Sequence, residues 1–412
     1  MSTKKSITKA MNKIAGMITA AALAFTVTLN FFQNTELKVS AAKNASRTLA
    51  DGIYCIRNMN SGMYMDMCNN KNISGTNIVQ YPYHGAMNQR FRVTYRINSL
   101  GESYYTIHPM NTYYDQYLSF DLESKAYSCT NGTDLKAYYS DSNNCAEQRF
   151  TIEPAAGGGY QIGTWASNGV KVLEVTSSST RSGAQVQIWD YSSLRNNDNW
   201  FFEPAPTGLV YNIVTNNISA DDISDAQVIK SKFCSLGYTG SVKKNASKSQ
   251  IINDAKNASV LVFHGHGNAG GVKTDVDGGW IIPVANPKAG KNCVPLKEII
   301  PPETAQHLQL VYFAACNSGS VDPTYGISLA DAAWQLGAKC AIGFDSTVAG
   351  AEDYLLKMMN YINSHKYATI QDAMNYADST YSKTALKNYN CPVNCKHVVG
   401  DTSVILDLRL PG

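Results

Sequence analysis

The sequence has little charge, and neither sign dominates. Only 16% of its 412 residues are Asp, Glu, Lys or Arg, and the formal net charge is +3. The first 41 residues hold five lysines against one glutamate, a net of +4, which leaves −1 for the rest (+3 − 4). A chain without a basic excess has no electrostatic basis for binding nucleic acid, so we expect no such partner. The 25 tyrosines and 10% aromatic content exclude a disordered chain.

Long apolar runs are missing everywhere except at the N-terminus. A lysine-rich start is followed there by the apolar stretch 14–29 and by Val39-Ser40-Ala41, a small-x-small cleavage pattern. This order predicts a signal peptide over residues 1–41, a secreted protein and no membrane span after its removal. The alternative is an uncleaved anchor, but the run is shorter than the ~20 residues that a spanning helix needs.

Several familiar catalytic and metal motifs are also missing. No Gly-x-Ser-x-Gly elbow occurs, and His264 and His266 lack the acidic and thiol neighbours of a zinc site. The segment Asp275-Val276-Asp277-Gly278-Gly279 hints at calcium, but it is too short for an EF-hand loop. We therefore expect no cofactor, with calcium as the one candidate.

Cysteine, in contrast, is plentiful. Ten cysteines fit an oxidising compartment. Close spacing favours three disulfides, although spacing does not fix connectivity. If Cys316 is a free thiol, Cys340 is expected to be the second unpaired cysteine, buried as a small hydrophobic residue. Cys234 and Cys293 are then the remaining possible pair. The three close pairs are Cys55 with Cys68, Cys129 with Cys145, and Cys391 with Cys395.

The N-terminal half contains a threefold repeat. Short alternating runs rich in Tyr, Val and Ile are separated by Asn, Ser and Gly, a pattern typical of many short strands. Each repeat ends in a related signature, Asn88-Gln89-Arg90-Phe91, Glu147-Gln148-Arg149-Phe150 and Asp198-Asn199-Trp200. The repeats predict one barrel-like body with the closing aromatics in a shared core.

Residues 50–204 resemble a ricin B-type β-trefoil, a lectin fold with a Gln-x-aromatic signature in each lobe. The resemblance implies a sugar site in each lobe, where an acid binds vicinal hydroxyls and an aromatic ring stacks on the sugar. The alternative is that the signature residues serve only the core and that the lobes are empty. The implied sugar residues are Asp66, Tyr83 and Asn88 in the first lobe, Asp121, Tyr139 and Glu147 in the second, and Glu174, Trp189 and Asp198 in the third.

A short leader at 42–49 precedes the repeats, and a linker that contains Pro and Gly follows them at 205–208. The sequence pattern changes after this linker. From residue 209 to 412, strands alternate with helices, which predicts an α/β sandwich with a mostly parallel sheet. The expected strands are 209–214, one ending at His264, 308–314, 340–344 and 404–408. The expected helices are 220–236, 247–256, 328–336, 351–362 and 370–376.

Two of these strands end in reactive side chains. Apolar runs lead into Gly265-His266-Gly267 and into Ala315-Cys316-Asn317, and the ends of neighbouring parallel strands meet at one edge of a sheet. An imidazole and a thiol so placed are a candidate base and nucleophile. Residues 209–412 resemble the caspase-like cysteine peptidases of clan CD, on the CHAT-like branch, because the Gln-Ala-Cys-x-Gly of caspases is not matched.

The resemblance implies thiolate attack by Cys316 on a peptide carbonyl, with His266 as the base and His264 as the alternate base. Backbone N–H groups of Gly267 and Cys316 would bind the oxyanion. It also implies that Asp345 selects a basic P1 residue; alternatively, Asp345 begins the helix that follows it.

Together, these expectations predict a secreted cysteine endopeptidase that a lectin domain targets to glycans or glycoproteins, with a peptide or protein as substrate. One alternative is a glycan-binding protein whose caspase-like domain is inactive. Another is a transferase or hydrolase that uses the same thiol on non-peptide bonds.

Overall fold

A computed structural model of the protein describes most of the chain after residue 44. The predicted signal peptide at 1–41, residues 275–278 of the candidate calcium segment and Cys145 lie outside the described residues. The described ranges are 45–111, 118–122, 129–140, 146–167, 169–214, 220–274, 279–286 and 292–409. Within them, no helix is both long and apolar enough to cross a membrane.

The N-terminal body is an all-β trefoil-like fold built on a closed ring of six strands. Strands β1, β4, β5, β8, β9 and β12 pair antiparallel in a circle that returns from β12 to β1, so the ring has no open edge. The remaining six strands form three hairpins, one per repeat. The strands are β1 Gly52–Asn58, β2 Tyr64–Met67, β3 Thr76–Tyr81, β4 Phe91–Ile97, β5 Ser103–Pro109, β6 Leu118–Leu122, β7 Leu135–Tyr139, β8 Phe150–Pro154, β9 Tyr160–Thr164, β10 Lys171–Val175, β11 Val186–Asp190 and β12 Trp200–Pro204.

The closing aromatics of the three repeats fill the centre of this body, as predicted. Phe91, Phe150 and Trp200 are fully buried, and Phe120 packs edge-on against both phenylalanines. The preceding leader is not separate from the body. Ala45 is buried in the same core, because its N–H donates to Ser103 O and its side chain packs with the barrel residues.

The C-terminal body contains a six-stranded sheet in the order β14-β13-β15-β20-β21-β22, with helices on both faces. The first five strands are parallel and β22 is antiparallel, so the predicted mostly parallel sheet is present. A second, four-stranded sheet runs β16 to β19. The strands are β13 Gly208–Ile213, β14 Thr239–Lys244, β15 Ala258–His264, β16 Gly267–Asn268, β17 Gly271–Thr274, β18 Gly279–Ile282, β19 Cys293–Pro295, β20 Leu310–Ala314, β21 Cys340–Phe344 and β22 Lys396–Gly400.

The central strands are buried on both faces because each face is covered by its own helices. Val262 of β15 belongs to one core with the helices 220–235, 351–364 and 370–379. Leu261 and Phe263 belong to the other core, with the helices 248–255, 296–299 and 329–335. This is why these strands are continuous apolar runs. The helices are α1 Ala220–Ser235, α2 Lys248–Ala255, α3 Leu296–Ile299, α4 Pro302–Ala305, α5 Leu329–Gln335, α6 Ala351–Ser364, α7 Ile370–Ser379 and α8 Pro392–Cys395.

The prediction of a closing strand at 404–408 is wrong. This stretch makes only one bridge, between Ile405 and Thr369, and its side chains pack into the core as extended chain. The last strand is β22, which pairs with β21 from Phe344↔Lys396 to Cys340↔Gly400. The apolar content of residues 404–408 correctly indicated that they are buried, but it did not indicate whether they form the hydrogen bonds of a strand.

The predicted disulfides are not formed among the described residues. Cys55, Cys68, Cys129, Cys234, Cys293, Cys316, Cys340, Cys391 and Cys395 are all free thiols. Cys55 is buried on β1, close to Tyr83, whereas Cys68 begins a short 3-10 helix after β2. Cys391 is the N-cap of the single-turn helix α8 and Cys395 is its last residue, and the Cys395 thiol donates to Cys391 O at 3.3 Å. Cys340 is fully buried, as predicted, and burial raises the pKa of its thiol to about 12.

The two bodies meet at what we call the domain junction, where residues 84–90 of the first lobe contact the N-terminal ends of β15, β20 and β21. Gly85 lies so close to the C-terminal body that a Cβ there would be 2.1 Å from Gln306 O. One hydrogen bond reaches each strand. These bonds are Arg90 Nη1 to Ser259 Oγ (3.1 Å), Gln309 Nε2 to Gly85 O (2.9 Å) and Lys339 Nζ to His84 O.

Candidate functional site

The histidine and cysteine turns lie side by side at the C-terminal edge of the parallel sheet. His264 of β15 is paired with Ala314 of β20, and each strand leads into a turn in which His266 and Cys316 stand two positions further on. The Gly265 N–H also donates to Ala314 O at 3.2 Å. This edge is where open α/β sheets form their sites.

The close approach of the two turns explains why a glycine, Gly267, follows His266. A Cβ at this position would be 2.2 Å from Cys316 O and 3.0 Å from Cys316 N. These distances are far inside van der Waals contact, so any side chain would push the two turns apart. The backbone that follows His266 therefore lies directly against the backbone of Cys316.

The Cys316 turn is held from the neighbouring strand. Asn317 adopts φ 56°, a left-handed conformation that asparagine tolerates, and its N–H donates to Ser346 O at 2.9 Å. The Val348 N–H donates to the half-buried Cys316 Sγ at 3.4 Å, and the thiol lies 3.8 Å from Val348 O, so the backbone of Val348 positions the sulfur. Within the described residues, the Cys316 N–H has no acceptor, so it is available to an oxyanion.

The two histidines differ in their surroundings. His264 is 8% exposed, its Nδ1 pairs with the Tyr211 hydroxyl at 3.1 Å, and its Nε2 lies 3.8 Å from Glu352 Oε2. Burial lowers the pKa of His264 below its usual value. His266 is exposed, and its carbonyl accepts from the Lys273 N–H at 2.8 Å. The accessible imidazole is therefore that of His266.

Asp345 borders the cysteine turn, because a Cβ on Gly319 would be 2.9 Å from Asp345 Oδ1. Its side chain is 53% exposed, and Oδ1 lies 3.3 Å from Nδ1 of His397, whose Nε2 lies 3.3 Å from Asp331 Oδ1. The alternative that Asp345 begins the next helix is wrong, since Gly350 is the N-cap of α6.

In the trefoil body, the first and third lobes hold their acids in the same way. Asn88 Nδ2 donates to Asp66 Oδ1 at 2.9 Å and to Met67 O. Asn197 Nδ2 donates to Glu174 Oε2 at 3.0 Å and to Val175 O. The predicted polar partner in the third lobe, Asp198, is fully buried and is not the residue that binds the acid.

Each acid has a further partner that differs between the lobes. His84 Nε2 lies 2.8 Å from Asp66 Oδ2 in the first lobe, and Arg195 Nη1 lies 3.2 Å from Glu174 Oε2 in the third. In the second lobe, Gln148 Nε2 donates to Asp121 Oδ2 at 2.8 Å. Burial is the main cause that raises the pKa of Asp121 to about 6, and the charge of Glu147 adds to it.

Two of the three predicted aromatic platforms are misplaced. Tyr83 turns to the domain junction, where its hydroxyl pairs with His307 Nδ1. Tyr139 pairs with Leu118 while Asp121 pairs with Lys136, so the alternation of the hairpin puts Tyr139 and Asp121 on opposite faces. Trp189 is on the same face as Glu174 and is 36% exposed.

The register of the hairpins makes Tyr81 and Tyr138 the candidate aromatic platforms instead of Tyr83 and Tyr139. Tyr81 is 46% exposed and lies on the face of Asp66, and Tyr138 lies on the face of Asp121. A spacing in the sequence marks all three aromatic positions. Each stands six residues after a glycine with positive φ, and these glycines are Gly75 (φ 88°), Gly132 (φ 87°) and Gly183 (φ 80°).

Comparisons with known proteins agree with the trefoil assignment. Residues 44–138, 99–189 and 146–220 each match the family described as ricin-type beta-trefoil lectin domain-like. The N-terminal body is therefore a ricin-type β-trefoil lectin domain. The matched residues end at 220. No curated protein is similar enough to the chain to count as a match.

Solved structures similar to this part of the chain include natural lectins and a designed protein. The Rhizoctonia solani agglutinin is 21% identical, with a TM-score of 0.32 over 39% of this chain and 99% of its own. The Macrolepiota procera ricin B-like lectin in complex with lactose is 19% identical, with a TM-score of 0.29 over 38% and 99%. The designed threefold-symmetric protein ThreeFoil is 27% identical, with a TM-score of 0.32 over 37% and 99%.

Proposed function

We propose that this chain is a secreted cysteine endopeptidase whose ricin-type domain holds it on glycans. The observation that carries the peptidase part is the contact between two turns at the ends of adjacent parallel strands. One turn exposes His266 and the other presents the Cys316 thiol, and Gly267 is packed against the Cys316 backbone. Secretion rests on the N-terminal sequence pattern at residues 1–41.

In the proposed reaction, His266 accepts the proton of the Cys316 thiol, and the thiolate attacks the scissile carbonyl. A C–S bond forms, the carbonyl oxygen becomes an oxyanion, and the Cys316 and Gly267 N–H groups stabilise it. His266 then protonates the leaving amine as the C–N bond breaks. Water attacks the thioester, which releases the acid and restores the thiol.

Asp345 is the proposed selector of a basic P1 side chain. It borders the cysteine turn, and its side chain is 53% exposed, so a substrate can reach the carboxylate. A carboxylate placed there would form a charge-assisted hydrogen bond with Arg or Lys of a substrate. His397, which lies against Oδ1, would orient the carboxylate.

The glycan part of the proposal rests on acids that are oriented by asparagine or glutamine beside an exposed aromatic ring. In the first lobe these are Asp66, Asn88 and Tyr81, and in the third Glu174, Asn197 and Trp189. A carboxylate fixed by an amide accepts hydrogen bonds from vicinal hydroxyls, and the ring face packs on the C–H face of a sugar.

The peptidase proposal is tested by labelling the full chain with a thiol-reactive peptidyl electrophile. We expect labelling that is lost in Cys316→Ala and retained in Cys293→Ala, a matched control at another half-buried thiol. His266→Ala should abolish labelling, whereas His264→Ala should not, provided both variants fold. Equal labelling of the wild type and Cys316→Ala would refute the assignment, and no labelling of either would favour a lectin with an inactive C-terminal body.

The glycan proposal is tested on a glycan array with the variants Asp66→Asn, Asp121→Asn and Glu174→Gln, singly and together. Each retains the size of the side chain but removes the charge. Binding to sugars should decrease in at least one single variant and be lost in the triple one. A triple variant that binds every sugar as the wild type does would remove these acids from the proposal.

A further inference from the structure

A cleft of about 140 Å³ opens at the domain junction, away from both candidate sites. Its walls come from the two bodies together. The trefoil side contributes Asn70, Met87 and Asn111, and the C-terminal side contributes Gln309, Lys339 and Asp401. The acids of the three lobes are not among the lining residues, so this cleft is separate from the sugar positions described above.

Two buried amide oxygens in the walls accept no hydrogen bond from the described residues. They are Gln309 Oε1 and Asn111 Oδ1, on side chains 0% and 8% exposed. The orientation of Gln309 is fixed, because its Nε2 donates to Gly85 O at 2.9 Å and to His307 O at 3.1 Å. Buried acceptors without a donor are costly, so the wall favours a ligand that brings O–H or N–H groups.

The other lining groups indicate the charge and the polarity of the ligand. Lys339 and Asp401 contribute one positive and one negative charge, so the cleft has no net charge that would favour an ion. Met87 and Ile405 add an apolar patch to the wall. A ring that carries hydroxyls at its edge and C–H groups on its face matches this mixture, and a cavity of roughly 150 Å³ holds a six-membered ring.

We propose that the junction cleft binds a single neutral, hydroxyl-rich ring of pyranose size. Its hydroxyls donate to Gln309 Oε1, Asn111 Oδ1 and the Asp401 carboxylate, and Lys339 donates to one of its oxygens. Because both bodies form the walls, the site exists only while the domain junction is intact. The ligand consequently stabilises the docked arrangement of the two bodies.

The test uses the full chain with Asp66→Asn, Asp121→Asn and Glu174→Gln combined, which silences the three lobes. The probes are methyl glucoside, methyl galactoside and myo-inositol, followed by saturation-transfer NMR and calorimetry. At least one probe should bind this background, with a dissociation constant on the order of 1 mM for so small a ligand. Adding Asn111→Ala or Asp401→Asn should weaken that binding at least about tenfold.

Glu303→Gln is the matched control, since Glu303 is an exposed acid on α4 of the same body. It should leave binding unchanged. The proposal is overturned if no probe binds the silenced background, if the wall variants bind as tightly as that background, or if Glu303→Gln weakens binding as much as they do. Asp401→Asn keeps the backbone N–H that bonds to Lys339 O, so it tests the wall without cutting the junction.

Discussion

Replacing Arg90 by methionine should loosen the domain junction specifically. The guanidinium is fully buried and donates five hydrogen bonds, all to neutral acceptors on both sides of the junction. The bonds are Nε and Nη2 to Gly85 O (3.3 and 3.2 Å), Nη1 to Pro206 O (2.9 Å) and Ser259 Oγ (3.1 Å), and Nη2 to His307 O (2.7 Å). Methionine fills much of the space but can make none of them.

The expected loss in the free energy of unfolding is about 3–4 kcal/mol, in the range for breaking a buried charged network. It is not larger, because Gly85 O and His307 O still accept from Gln309 Nε2 in the variant. Pro206 O is the carbonyl that loses its partner. Guanidinium unfolding of the full chain measures the loss, and hydrogen exchange at 85–90 and 306–310 locates it.

Arg149→Met is the control at the same position of the second signature. Arg149 stacks on Tyr104 and Trp165 at 4.7 and 4.8 Å and pairs with Glu102 at 3.2 Å, all within the trefoil. It should destabilise the trefoil without faster exchange at 306–310. The reasoning is refuted if Arg90→Met leaves exchange at the junction unchanged, or if both variants accelerate it equally.

Three further predictions follow from single positions. Gly267→Ala should slow electrophile labelling of Cys316 about 100-fold, because its Cβ would displace the Cys316 backbone by more than 1 Å; labelling at the wild-type rate would contradict it. Gly85→Ala should lower the thermal stability more than Gly183→Ala, since both have positive φ but only Gly85 meets a backbone atom, and equal losses would contradict this. Because burial raises the pKa of Asp121 to about 6 in the folded state, stability should fall as pH rises from about 4 to 6, and Asp121→Asn should flatten that part of the pH profile in chemical unfolding; an unchanged profile would contradict it.

Periodicity predicted most of the C-terminal elements because burial shapes the sequence there. The run 340–344 is a strand with the expected bounds, and Ala220 begins the expected helix. The edge strand Lys396–Gly400 was missed because one side faces no partner strand and its composition is mixed. Val404–Leu408 was mistaken for a strand because a buried extended segment and a buried strand have the same apolar composition.

The candidate sugar residues in the lobes were harder to predict, because the face on which a side chain lies depends on the register of its hairpin and not on the residue type. An aromatic platform was predicted in each lobe, but residue type alone does not distinguish Tyr138 from Tyr139. The cross-strand pairing does, as does the six-residue spacing from Gly132. The junction could not be foreseen at all. The signatures around Arg90 and Arg149 are nearly identical in sequence, yet one arginine is an interdomain donor and the other stacks within its own lobe.

The domain junction also determines how far the chain can reach. A lectin joined to a catalytic body by a long flexible tether samples many separations, and its gain from holding two parts of a target is spread over all of them. Here the guanidinium of Arg90 and the Gly85 peptide hold the two bodies together, so the span from each lobe to Cys316 is a fixed length. Under the proposed function, a glycoprotein substrate would have to carry its sugar and its peptide segment at that spacing, so the distance itself would be a criterion of recognition.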